Sequence, residues 1–333
     1  MSKLKFEGES RMKAMVYNKY GSTNVLKLSE IEIPAIKPNE VLIKVHAVSV
    51  NSWDWDLLRG KPFLARLGGF LKPKYNILGA DIAGTIEAIG SEVKHFSVGD
   101  AVFGDISGCG WGGFAEYVSV NAEALTLKPA HMTFEEAAAI PQAGVLALQG
   151  LRDVGQIQQA KKVLINGAGG GVGTFALQMA KLHGAEVTCV DSKAKLDILK
   201  SIGADHVIDY KEEDFTKTGQ FYDLILDVVG NRSVNNYKSV LNPNGTYVMV
   251  GGTLPLILQI LLKGPKINKK ESKKMAILVH KPNQKDQDYL KELFVEGKLV
   301  PIIDKKYSLG DTGEAIRYLA EGHAKGKVIV SME

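Results

Sequence analysis

Several structural resources are scarce in this chain of 333 residues. There are two cysteines, Cys109 and Cys189, far apart in sequence, and Cys189 falls in an apolar stretch that reads as a buried strand. A disulfide framework is therefore excluded, and a reducing, cytoplasmic compartment is expected. Charge of one sign is scarce as well: 41 Lys and Arg against 37 Asp and Glu leave +4. That excess is too small to imply a nucleic-acid partner. No apolar run is long. The longest, Leu254-Pro255-Leu256-Ile257-Leu258-Gln259-Ile260-Leu261-Leu262, falls short of the ~20 residues that span a bilayer, so no integral membrane segment is expected. Residues 1–12 are polar and mixed in charge, and read as a loose tail rather than a signal peptide.

What is present centres on Lys162-Val163-Leu164-Ile165-Asn166-Gly167-Ala168-Gly169-Gly170-Gly171-Val172-Gly173-Thr174-Phe175-Ala176. The apolar run 163–165 fits a strand buried on both faces. Val172, Phe175, Ala176, Met179 and Leu182 then recur at helical spacing, and Gly184 stands where a left-handed cap belongs. Strand, glycine turn and helix form the context of a dinucleotide fingerprint. Gly167, Gly170 and Gly173 are spaced by three. Such glycines serve a tight turn, the approach of a pyrophosphate, and the packing of helix on strand. The free N–H groups of the helix start, with a macrodipole of roughly +0.5 charge, face the anion. A bulky residue at Gly170 or Gly173 is expected to abolish cofactor binding and leave the fold intact.

Strands at 186–190, 206–208, 224–229 and 247–250 alternate with helices, which predicts an α/β fold with a doubly wound parallel sheet. Asp191 ends the second strand, about where an acid meets the adenosine ribose and repels a 2′-phosphate, which favours NADH. Ser192, Lys193 and Lys195 follow it, and Tyr210 follows the third strand.

Before residue 130 the pattern differs. Short strands at 41–48, 79–89, 101–103 and 113–118, separated by glycine turns, predict a small barrel-like β domain. Gly84 marks a bulge or a close approach, and only a helical turn at 53–59 interrupts the strands. Thr133-Phe134-Glu135-Glu136 is a capping box opening a helix that Pro141 ends, and a second helix follows over 143–152. The division falls near 132. Residues 1–132 make the first domain, completed by a returning tail at 282–333, and residues 133–281 make the dinucleotide-binding domain.

With these residues in view the chain resembles the medium-chain dehydrogenase/reductase superfamily. Gly79-Ala80-Asp81-Ile82-Ala83-Gly84, Val98-Gly99-Asp100-Ala101-Val102 and Gly112-Gly113-Phe114-Ala115-Glu116-Tyr117 match its first domain. Ser201-Ile202-Gly203-Ala204-Asp205-His206-Val207-Ile208-Asp209-Tyr210 and Gly326-Lys327-Val328 match its second half. The chain is most similar to the zinc-independent, quinone oxidoreductase-like branch. The resemblance implies a GroES-like catalytic domain, a Rossmann domain, and a substrate cleft between them over the nicotinamide. It also implies an absence of zinc, because Asn51 and Ala80 stand where zinc-dependent members carry ligands, and 140–150 holds no Cys, His, Asp or Glu.

The resemblance further implies cofactor contacts at Gly167, Gly170, Gly171, Val172, Gly173, Asp191, Ser192, Lys193, Lys195, Tyr210, Val229, Gly251 and Lys327. Lys195 and Tyr210 match positions that hold a 2′-phosphate in this branch, which favours NADPH over NADH. Asn51 is expected beside nicotinamide and substrate, and is otherwise a turn residue. Asp54 is a catalytic candidate, or else the cap of the following helix. Asp56 stands where some relatives carry Tyr, so a tyrosine proton donor is not expected. The expected reaction is hydride transfer to a quinone or an α,β-unsaturated carbonyl. The alternatives are an enoyl-thioester reductase, or a cofactor-binding protein with a structural or trafficking role. A homodimer joined at 254–262 is expected, with a cleft lid, or a membrane-surface patch helped by Lys263, Lys266, Lys269 and Lys270, as its rivals.

Overall fold

The structure is a computed structural model, which describes residues 11–66, 69–157 and 161–332. Of the expected N-terminal tail, residues 1–10 lie outside the described residues, and residues 11–12 already belong to a strand.

Strands β1 (Arg11–Val16) and β2 (Lys27–Glu32) form an antiparallel ribbon. β3 (Glu40–Val50) is long because its residues bury on both faces, and it leads directly into helix α1 (Ser52–Arg59). β4 (Asp81–Ile89), β5 (Ala101–Asp105), β6 (Tyr117–Asn121) and β7 (Leu125–Leu127) follow. Gly84 is both things expected of it. A Cβ there would collide with the Lys44 carbonyl, and the β3–β4 register slips between Val45 and Ala47 beside it.

The glutamate-rich capping box opens α2 (Phe134–Ala139), with the Glu136 carboxylate accepting from the Thr133 N–H at 2.8 Å. Pro141 does more than end α2. It occupies the first position of α3 (Pro141–Gln149), where its missing N–H costs nothing. A π turn over Gly150–Val154 finishes this segment. The parallel sheet follows as β8 (Lys162–Asn166), α4 (Gly171–Leu182), β9 (Glu186–Asp191), α5 (Lys193–Ser201), β10 (His206–Asp209), β11 (Tyr222–Asp227), α6 (Val234–Ser239), β12 (Leu241–Met249), α7 (Leu254–Lys270) and β13 (Lys274–Ile277). Val163, Leu164 and Ile165 are fully buried, as a strand covered on both faces requires. Gly184 and Gly203 take positive φ at the ends of α4 and α5.

The tail comprises α8 (Gln284–Val295), β14 (Ile303–Ser308), α9 (Thr312–Ala320) and β15 (Lys327–Ser331). β14 starts only at Ile303, beyond Pro301, which cannot donate to a ladder. The parallel sheet has the order β10-β9-β8-β11-β12-β13. The other large sheet has the order β14-β15-β3-β4-β5-β7, with β6 also on β3, so the tail supplies the two strands at one end of it. α2 packs against β3, β4, β5 and β15, whereas α3 packs against α4 and α8. The turn between these two helices is therefore where the two sheets meet. The apolar run 254–262 is the first half of α7: Leu256 and Ile260 bury, while Leu258, Leu261 and Leu262 stay exposed.

Candidate functional site

The parallel sheet reverses its winding between β8 and β11, so the crevice at their carboxyl ends is the switch point where such sheets take ligands. The glycine turn lies there, with Val229 after β11 and Gly251 after β12. Its three spaced glycines do different work. Gly167 makes the turn at φ +79°. A Cβ on Gly173 would stand 2.5 Å from Ala168 Cα, so this glycine seats α4 on the turn. A Cβ on Gly170 would meet nothing nearer than the Gly167 carbonyl at 3.8 Å, so Gly170 faces open space. The expectation that a bulky residue at Gly173 spares the fold is thereby corrected, and Gly170 alone borders the cradle. The residues fit a dinucleotide pyrophosphate: an open glycine face beside the unpaired N–H groups of a helix start.

At one end of the crevice Asp191, Ser192, Lys193, Lys195 and Tyr210 come together. Asp191 and Asp209 are register partners at the ends of β9 and β10, and the Tyr210 N–H donates to the Asp191 carbonyl. The Asp191 carboxylate is already engaged. Its Oδ2 accepts from the Gly169 N–H and its Oδ1 from the Ser192 N–H, both at 2.8 Å, and Lys195 Nζ lies 3.5 Å away. Lys195 is buried against Gly169, whereas Lys193 extends into solvent, 4.0 Å from Glu212, and Tyr210 is half exposed.

The other large sheet approaches the turn directly: Gly170 forms an isolated parallel bridge with Gly326. The next residue, Lys327, lays its methylenes beside Gly171 and reaches Asn51, with Nζ donating to Oδ1 at 2.7 Å. Nζ also lies 3.7 Å from Asp81 Oδ2, which accepts from Asn51 Nδ2 at 2.9 Å. Asp81 Oδ1 accepts from the Gln142 N–H at 3.1 Å. Asn51 caps α1, and Asp54 is the third residue of that helix. Asp54 accepts from the N–H groups of Asn51 at 2.7 Å and of Gly79 at 2.9 Å.

These groups are buried. Burial pushes the Asp54 carboxyl up to about 7, against its two N–H donors and the Lys327 charge. Burial pushes Asp81 up to about 8, with Lys327 opposing and Asp105 adding to the rise. Burial lowers Lys327, while Asp81 and Asp54 hold its proton on. Asp105 is the cross-strand partner of Asp81, and its Oδ2 pairs at 2.8 Å with Nε2 of His280, which follows β13.

Sequence reasoning missed Asp105, His280, Gln142 and Asp227. Asp227, at the end of β11, is fully buried and accepts from Tyr247 Oη at 2.7 Å and Asn166 Nδ2 at 2.8 Å. A lone carboxylate closing an apolar strand was the available signal. Trp53 is half exposed, and Trp111 is buried in the core with Val48, Ile82 and Phe114. Among the described residues no group of three or more His, Cys, Asp or Glu side chains converges as a metal site. No helix there is long and apolar enough to cross a membrane.

Comparison with known proteins agrees with this geometry. Residues 37–130 match the alcohol dehydrogenase GroES-like domain, and residues 202–330 match the family described as zinc-binding dehydrogenase. The 2-methylene-furan-3-one reductase of Solanum lycopersicum is 35% identical over 96% of this chain and 79% of its own length. The chloroplast envelope quinone oxidoreductase homolog of Arabidopsis thaliana is 32% identical over 96% of this chain and 98% of its own. The solved quinone oxidoreductase of Coxiella burnetii superposes with a TM-score of 0.87 at 31% identity, covering 97% of this chain and all of that one. Relatives this similar along nearly the whole length make the chain an oxidoreductase of the medium-chain dehydrogenase/reductase superfamily, in its quinone oxidoreductase-like branch.

Proposed function

We propose that this protein reduces quinones or α,β-unsaturated carbonyls with NADPH and without zinc. The observation that carries this reading is the Lys327 ammonium between Asn51 and Asp81. A fixed monovalent cation occupies the surroundings of Asn51, where relatives that use zinc place a ligand. Without a Lewis acid an alcohol is hard to oxidise, whereas a conjugated carbonyl is already electrophilic. The bound cofactor would supply the hydride. The chain's own groups position it and the substrate: the glycine turn and Lys327 at the pyrophosphate side, Val229 and Gly251 along the crevice, Asn51 at the cleft. Asp54 ties α1 to the Gly79 turn and so fixes Asn51. The cleft lies between a catalytic domain of residues 1–132 with 282–333 and a Rossmann domain of 133–281.

NADPH is favoured because Asp191 spends its carboxylate on Gly169, Ser192 and Lys195, which leaves less of its charge to repel a 2′-phosphate. Lys193 and Tyr210 are exposed beside it. The relatives named chloroplastic or mitochondrial bear on their own compartments, and a reducing, cytoplasmic setting for this chain rests on its two unpaired cysteines. A second copy of the chain on α7 and the edge strand β13 would make a homodimer.

The test is loss of reduced-nicotinamide absorbance with a panel of quinones, enals, enones and acyl thioesters, with both cofactors and with chelator. NADPH turnover on the quinones or enones, unchanged by chelator and weakened in Lys195→Ala more than NADH turnover, is expected. A preference for NADH would make Asp191 decisive. A stoichiometric, activity-linked metal would remove the zinc-free mechanism.

A further inference from the structure

We propose that Gln142 is a substrate-binding residue whose side-chain amide donates to the carbonyl oxygen of the conjugated substrate. This rests on the reductase reading above.

The second residue of α3 is fixed by its backbone, since the Gln142 N–H donates to Asp81 Oδ1 at 3.1 Å. The other oxygen of Asp81 holds Asn51. The next residue, Ala143, stands 3.7 Å from where a Cβ on Gly171 would be. Gln142 thus sits at the corner between Asn51 and the start of the cofactor-facing helix.

Its side chain is anomalous. Gln142 is only 3% exposed, yet its carboxamide has no hydrogen-bond partner among the described residues. An amide sealed from water without a partner costs about 1–3 kcal/mol, so such groups are normally bonded. The other buried glutamine of α3, Gln149, shows the usual remedy, donating to Lys281 O at 2.8 Å and to Asp286 Oδ2 at 2.9 Å. The orphan polar atoms that are sealed inside the described protein belong to Ser49, Arg59, Thr126, Tyr222, His280 and Gln287. Gln142 is not one of them, so its amide atoms keep a small contact with solvent. A nearly buried glutamine whose amide has no protein partner is explained once a ligand completes its hydrogen bonds.

The chemistry supplies that ligand. As a hydride adds to an enone or quinone, a π electron pair moves onto the carbonyl oxygen. The conjugated carbonyl is reduced, the hydride donor leaves as oxidised nicotinamide, and water supplies the proton that completes the product. A donor placed at that oxygen binds the developing negative charge more strongly than the ground state.

The experiment compares Gln142→Leu and Gln142→Met with the wild type in three readouts: melting temperature, Kd for NADPH by nicotinamide fluorescence, and kcat and KM on the best substrate. Expected are an unchanged or higher melting temperature, unchanged Kd, and a kcat lower by about 10²-fold with KM moving little. Any of three outcomes would overturn the proposal: wild-type kcat in both variants, a drop in melting temperature (a structural glutamine), or a raised Kd for NADPH (a cofactor ligand). A wild type inert toward quinones and enones would overturn the reductase reading instead. The melting temperature and Kd would still report whether Gln142 supports the fold or the cofactor.

Discussion

Lys327 Nζ stands 2.7 Å from Asn51 Oδ1 and 3.7 Å from Asp81 Oδ2, so one buried ammonium serves an amide beyond β3 and a carboxylate opening β4. Lys327→Met leaves buried Asp81 without its cation, and above about pH 8, where Asp81 is ionised, removing one partner of the buried pair costs about 3–5 kcal/mol. The double variant with Asp81→Asn is expected to regain most of that loss. Denaturant unfolding of the two singles and the double checks it, and singles that lose nothing would show that the pair is not ionised.

The glycine turn separates two effects. Gly170→Val is expected to fold with near-wild-type stability and to lose dinucleotide binding, because its Cβ points into open space. Gly173→Val drives a side chain into Ala168 and is expected to cost 1–3 kcal/mol or more, roughly the penalty of overpacking. Thermal melts with and without cofactor distinguish them. A Gly170→Val protein that binds normally would move the pyrophosphate elsewhere.

Asp54 gives the fold a pH dependence of predictable sign. Its folded value is near 7 against an ordinary 3.8. Between these limits the folded chain keeps a proton that the unfolded chain has released. Its contribution to stability is therefore full below pH 3.8 and is lost as pH rises toward 7. Asp54→Asn should flatten the stability profile across this window. An equally steep profile in the variant would assign the slope to another group.

Helix α7 exposes Leu258, Leu261 and Leu262 beside β13, the edge strand of the parallel sheet. An apolar helix face next to an open edge is a surface that a second copy can cover. Light scattering is expected to give twice the chain mass, and Leu258→Glu with Leu262→Glu to shift it to the monomer. A wild-type monomer would leave the cleft-lid or membrane-surface reading of this helix.

Legibility in the sequence followed the range of the interaction. The turn from β8 into α4 was readable because glycines, an apolar run and helical spacing act over a few residues. Gly184 was readable as a cap for the same reason. The exposed apolar run 254–262 was readable as an interface, but not as helix α7, because outward leucines break the amphipathic pattern that identifies a helix. Asn51 was found only by resemblance. Its partners Asp81 and Lys327, and the pair Asp105 with His280, meet through tertiary packing that no local pattern encodes. Gln142 was overlooked because an amide carries no signal until its lack of a partner is seen in three dimensions.

The bond between the last strand and the third has a consequence for how the protein is made. Val328 pairs with Val50, and Val330 with Val48, across almost the full length of the polypeptide. A ribosome releases β3 long before β15. During synthesis the end of β3 waits with its hydrogen-bonding edge bare, while the parallel sheet can assemble as it emerges. Contacts of such sequence separation slow folding and leave strand edges open to other chains. The sheet built on β3 thus closes late, and nascent chains stalled short of β15 should be aggregation-prone.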